Sequence, residues 1–139
     1  MSTRAIGLFA FCVVTLNITP SSVAVTPLTA PLEVKTSHGT SYLSGGVGEH
    51  EREALRSLGR QSTLKLVFAQ KEGNYLSDVA VSIRDRTGRP VLDAVADGPL
   101  LFANLPPGQY TVMATSKGVS RQQQVRIVAR RQKQLAFYW

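Results

Sequence analysis

Apolar and polar residues alternate through most of the second half of the chain. Leu64, Leu66 and Phe68 fall on one side of Lys65 and Val67, and Val79, Val81 and Ile83 alternate with Ala80, Ser82 and Arg84. Tyr110, Val112 and Ala114 alternate with Thr111, Met113 and Thr115. Val125, Ile127 and Ala129 do so with Gln124, Arg126 and Arg130, and Leu135, Phe137 and Trp139 keep the same period. A period of two is that of a strand with one buried face. Pro90 to Val95 and Leu100 to Ala103 add two shorter apolar stretches. Asp85-Arg86-Thr87-Gly88, Asp97-Gly98-Pro99, Pro106-Pro107-Gly108 and the hairpin turn Lys117-Gly118 supply the breaks. Seven short strands separated by Gly/Pro turns predict a mainly β chain, a seven-stranded antiparallel β-sandwich.

Glu49 to Arg60 departs from that period. Glu49, Glu51 and Glu53 crowd the start, where the positive end of a helix dipole favours acids, and Arg52, Arg56 and Arg60 recur every four residues. This predicts one short N-terminal helix with Gly59 at its end. Its apolar stripe, Ala54, Leu55 and Leu58, is thin, so the helix has to lean on a larger surface. The preceding stretch, residues 25–48, is rich in Thr, Ser, Pro and Gly without a sustained period, and is expected to be a flexible leader adding little to the core.

The start of the chain has a third pattern. Arg4 precedes an uncharged run from Ile6 to Leu16, then Thr19-Pro20-Ser21-Ser22 and Val23-Ala24, the plan of a secretory signal peptide over residues 1–24 with cleavage after Ala24. The apolar run is well short of the roughly 20 residues that cross a bilayer, so no transmembrane segment is expected in the mature chain. Cys12, the one cysteine, lies inside that run, which removes disulfides and thiol chemistry from the mature protein. The expected location is the periplasm.

Residues 76 to 129 resemble the carboxypeptidase regulatory-like domain, a transthyretin-like sandwich. The resemblance rests on Asp78-Val79-Ala80-Val81-Ser82-Ile83, on the turn at Thr87-Gly88, and on the run from Asp97 through Gly98, Phe102, Pro106, Pro107 and Gly108 to Tyr110 and Val112. In that run the prolines stop one strand, Gly108 permits a sharp turn, and Tyr110 buries its ring while its hydroxyl bonds the backbone of the corner. With Ser41 to Glu49 ahead of it, the chain is also similar to small exported proteobacterial proteins of this class. The resemblance implies a fold and a place in the cell envelope, and it is to an accessory domain without the catalytic one.

The chemical inventory argues against an enzyme. Catalysis needs positioned acids, bases, nucleophiles or a metal, and the chain has two histidines, His38 in the leader and His50 at the helix start. Glu49 and Glu51 point away from His50 on a helix, so no metal site is expected, and nothing marks a nucleophile elbow. Ser44-Gly45-Gly46-Val47-Gly48 lacks the Lys of a phosphate loop, and the glutamates after it repel an anion. No catalytic residue, cofactor or metal is therefore assigned.

Charge changes the picture more. The chain carries 16 basic and 9 acidic residues, a formal charge of +7. Nine of each fall between Val25 and Asp97, whereas Gly98 to Trp139 holds Lys117, Arg121, Arg126, Arg130, Arg131 and Lys133 and no acid. Arg126 and Arg130 share a parity opposite Val125 and Ile127, and with Arg121 they are expected to form an outward row. Such a row suits an envelope protein or an anionic envelope polymer. Nucleic acid is disfavoured by export and by the lack of aromatics on that face. The functional expectation is a non-enzymatic exported binding module. Its rivals are a structural subunit joined through strand edges and an outer-membrane-associated protein.

Overall fold

The computed structural model describes residues 32–139; the expected signal peptide over 1–24 and the first part of the expected leader lie outside the described residues. The architecture is mainly β, with two sheets and one short helix. In chain order the elements are β1 (Lys35–Ser37), β2 (Thr40–Gly45), α1 (Glu49–Leu58), a 3-10 turn (Gly59–Gln61), β3 (Leu64–Ala69), β4 (Val79–Asp85), β5 (Pro90–Ala96), β6 (Leu100–Ala103), β7 (Gly108–Ser116), β8 (Val119–Ile127) and β9 (Lys133–Tyr138). One sheet has the order β1-β2-β6-β3-β9 and the other β5-β4-β7-β8.

The alternating segments of the sequence coincide with β3, β4, β7, β8 and β9 and the two shorter apolar stretches with β5 and β6; the buried side chains of the alternating strands fall on the expected parity, except that β8 stops at Ile127 and leaves Ala129 exposed. Leu64, Leu66, Phe68 and Phe137 of one sheet and Val79, Val81, Ile83, Leu92, Val112 and Ile127 of the other form one buried cluster. The rings of Phe68, Phe137 and Trp139 lie 6.1 to 6.4 Å apart at its end, in the range of favourable aromatic contact. Lys117 and Gly118, with φ of 48° and 78°, make the two-residue turn between β7 and β8, whose twist suits a hairpin.

Three expectations are corrected. Nine strands are present among the described residues rather than seven, because the stretch read as a flexible leader contains β1 and β2. They form a hairpin across His38-Gly39, both at positive φ, and β2 pairs with β6. The period was hidden because the buried positions of β2 include Thr40 and Ser44 beside Leu43. These polar side chains are tolerated when bonded, as Ser44 is to Asp97 across the molecule. Nor is the pairing wholly antiparallel: β9 runs parallel to β3 from Leu64↔Lys133 to Ala69↔Tyr138. A strand pattern carries parity and no direction, so sequence periodicity cannot distinguish the two.

The helix packs through one fully buried residue, Leu55, which joins Leu43, Leu100 and Phe102 in a second cluster on the outer face of the five-stranded sheet. β6 is thereby covered on both faces, which is why Leu100 to Ala103 is apolar throughout. Gly59 ends α1 at a right-handed φ of −80°. Its need for glycine is steric, since a Cβ there would stand 2.4 Å from the Phe102 ring. At the other end, Gly46 at φ +94° turns β2 into the helix, its N–H donating to Glu51 Oε1 at 3.2 Å, while the Arg52 guanidinium donates to the Gly46 and Val47 carbonyls. No helix among the described residues is long and apolar enough to cross a membrane.

Candidate functional site

The corner between β6 and β7 holds the end of the four-stranded sheet. Leu105 N donates to Thr63 Oγ1 at 2.8 Å and Thr63 Oγ1 donates to the Leu105 carbonyl at 3.0 Å, so a β3-flanking residue clamps the chain before Pro106-Pro107. Tyr110 is buried and its hydroxyl donates to the Pro106 carbonyl at 2.7 Å. Burial raises the pKa of that hydroxyl, and the Asp85 charge adds to the effect. Gly108 opens β7 at φ +158°, a backbone conformation that residues with a side chain rarely adopt, although a Cβ on it would meet the Tyr110 ring only at an ordinary 3.6 Å. Gly98 is the residue of the Asp-Gly turn that tolerates no side chain, because a Cβ would lie 2.3 Å from the Gly45 carbonyl oxygen. Phe102 points away from the corner, toward α1, with Lys65 Nζ 5.9 Å from its ring centroid.

The three arginines expected in one row are separated. Arg126 lies on the outer face of β8, exposed and paired in register with Gln109. Arg121 is five residues away, an odd number, and therefore projects from the opposite face, toward β9. Arg130, at φ 62°, is beyond the end of β8 in the turn to β9. The physical reason is the period of two combined with a strand that stops at Ile127.

What the structure brings to Arg126 instead is Arg86. Asp85 pairs with Tyr110 and Tyr110 with Val125, so the next row across the sheet end carries Arg86, Gln109 and Arg126. These residues, with Thr111 and Gln124, line an open groove of about 360 Å³. Asp85 lines the groove as well and is its one acid. Its carboxylate already accepts from the Thr87 hydroxyl at 2.7 Å, Thr87 N at 2.9 Å and Arg89 N at 3.0 Å. The Thr87 hydroxyl bond is the main reason its pKa is held below the ordinary value. Neither Arg86 nor Arg126 has a carboxylate within ion-pair distance among the described residues. Two guanidiniums at the rim, with amides and a hydroxyl between them, make a site able to donate to carboxylate, phosphate or sulfate oxygens. Arg86 was legible in the sequence only as a turn residue. Its neighbourhood to Arg126 depends on the register of three strands.

The histidines stand elsewhere. His38 Nε2 is 3.0 Å from Asp93 Oδ2 at the β1–β2 turn, and His50 is exposed in the first turn of α1. Among the described residues no group of three or more His, Cys, Asp and Glu side chains converges as metal ligands would. No protein-family model matches this chain, and neither does any curated protein.

Proposed function

We propose that this chain is a non-enzymatic binding module exported to the periplasm, which holds an anionic polymer of the cell envelope in the groove between Arg86 and Arg126. In this reading the two sheets make a β-sandwich of the transthyretin-like, carboxypeptidase regulatory-like type, a signal peptide is removed after Ala24, and nucleic acid is not the partner. The observation that carries it is the pair of guanidiniums that have no carboxylate partner among the described residues, flanking amides at the end of the four-stranded sheet. Such charges attract an anion across a Debye length of about 8 Å at physiological ionic strength, which makes binding salt-dependent.

The test uses linear polyphosphate as a soluble anionic polymer. The double variant Arg86→Gln, Arg126→Gln should bind it at least about tenfold more weakly, equivalent to about 1.4 kcal/mol, with an unchanged thermal midpoint. A neutral polymer of similar length should not bind. Unaltered binding by the double variant, or salt-insensitive binding by the wild type, would overturn the reading. A second reading, a structural subunit that assembles through strand edges, is favoured by β8 and β9 each ending a sheet. A mass that rises with concentration in the absence of anion is its signature.

A further inference from the structure

The two flanks of the molecule are closed in different ways. On one flank β5, an edge of the four-stranded sheet, is sealed by side chains from β1 and β2. Ser37 Oγ accepts from Asp93 N at 3.0 Å and donates to the Asp93 carbonyl at 2.9 Å. Ser44 Oγ accepts from Asp97 N at 3.2 Å and donates to Asp97 Oδ2 at 3.1 Å. Lys35 bonds Asp97 and His38 bonds Asp93 over the same line. The backbone N–H and carbonyl of Asp93 and the N–H of Asp97 are thus occupied along the edge where a neighbouring strand would otherwise dock.

On the other flank β8 and β9 end the two sheets side by side, bridged by Gln123 Nε2 to the Ala136 carbonyl at 2.7 Å and by the Trp139 indole N–H to the Val119 carbonyl at 2.9 Å. Because Ser116 and Val119 flank a two-residue hairpin turn, they form a hydrogen-bonded pair, and the alternation of the ladder then directs the backbone of Ser120, Gln122 and Gln124 outward. Strand edges in native proteins are commonly guarded by proline, bulges or several charges. β8 pairs with β7 over nine residues without a bulge, and from Val119 to Gln124 it contains no proline and a single charge, Arg121. Beside it runs a groove of about 260 Å³ lined by Arg121, Lys71, Ala136 and the exposed ring of Tyr138.

We propose that the β8 edge accepts, as a fifth strand of its sheet, an extended segment of another protein that carries acidic residues at alternate positions. The backbone of Ser120, Gln122 and Gln124 supplies the ladder, and the period of two places every second side chain of the incoming strand over the groove, against Arg121 and Lys71. Charge selects the partner, since no acid lines this groove. Charge also disfavours a second copy of this chain, because pairing β8 with β8 around Gln122 sets two Arg121 side chains on the same side of the joined sheet.

The experiment titrates the folded chain with a peptide of about eight residues, a usual strand length, in which Glu and Val alternate. Saturable binding is expected, at least about tenfold weaker when Lys replaces Glu, and abolished when the ladder-forming peptide amides are N-methylated with the charges intact. Amide exchange should slow at Ser120, Gln122 and Gln124 on binding. Gln122→Pro removes only an outward N–H and should lose the peptide while keeping its thermal midpoint. If that variant fails to fold, the N-methylated series and Arg121→Glu decide. Equal binding of the N-methylated peptide would reduce the contact to electrostatics and overturn the proposal. Absence of saturable binding would overturn it as well, with a concentration-dependent doubling of mass then assigning the edge to a second copy.

Discussion

The hydroxyl of Tyr110 donates to the carbonyl oxygen of Pro106 at 2.7 Å, so a ring buried between the sheets ties down the loop that joins them. The bond and the ring are separable by substitution. Tyr110→Phe removes the bond alone and should cost about 1 kcal/mol. Tyr110→Ala also opens a cavity and should cost about 3 kcal/mol or more. Denaturant midpoints measure both, and equal small losses would show that the ring is not core. His50→Ala, on an exposed helix turn, should stay within about 0.5 kcal/mol.

Gly98 offers a steric test. A methyl group there meets the Gly45 carbonyl oxygen at 2.3 Å and the carbonyl carbon at 2.4 Å, both backbone atoms that cannot rotate aside. Gly98→Ala should destabilise by about 1–3 kcal/mol, toward the upper end, because β2 and the β5–β6 turn have to part. A thermal midpoint equal to that of the wild type would exclude this close approach.

Ser44 bridges the sheets by accepting from Asp97 N and donating to the Asp97 carboxylate. Ser44→Ala takes the buried partner from Asp97 N and one bond from a carboxylate that water can still reach, for an expected loss of about 1 kcal/mol. Faster amide exchange at Asp97 should accompany it, and unchanged exchange there would show that the hydroxyl is not the acceptor.

Asp97 is also the partner of Lys35. The hydrogen bond from Lys35 is the largest cause of the lowered Asp97 pKa, followed in the same direction by that from Ser44 and opposed by burial. The folded pKa lies below the unfolded one, so this stabilisation is present above about pH 4 and is lost as pH falls through the folded value. Lys35 is raised by the same hydrogen bond, so its contribution is complete below its ordinary pKa of 10.5 and is lost as pH rises through the folded value. With the Asp97 side chain 56% exposed, the effect should be no more than about 1 kcal/mol. Thermal midpoints between pH 7 and pH 2 should fall less steeply for Asp97→Asn than for the wild type, and parallel curves would count against the pair.

The sequence by itself determined the parity of β3, β4, β7, β8 and β9, a helix opening at Glu49 (expected to reach Arg60, it gives way to a 3-10 turn after Leu58), the turns at Thr87-Gly88 and Lys117-Gly118, and the concentration of positive charge after Gly98. Each of these depends on neighbours within a few positions, through the period of two, the dipole of one helix or the φ of one glycine. The tertiary structure decided what depends on partners far along the chain. Thr40 to Gly45 became a buried strand because β6, more than fifty residues later, and the Asp97 side of β5 complete the hydrogen bonds of its polar residues. β9 runs parallel to β3 because its side chains find the same cluster in that direction, and parity alone leaves direction open. Arg121, Arg126 and Arg130 share a stretch of ten residues, yet the first two lie on opposite faces of β8 and the third in the turn beyond it. Arg86, forty positions from Arg126, stands beside it because the registers of β4, β7 and β8 align, and register is a property of the assembled sheet rather than of any one strand.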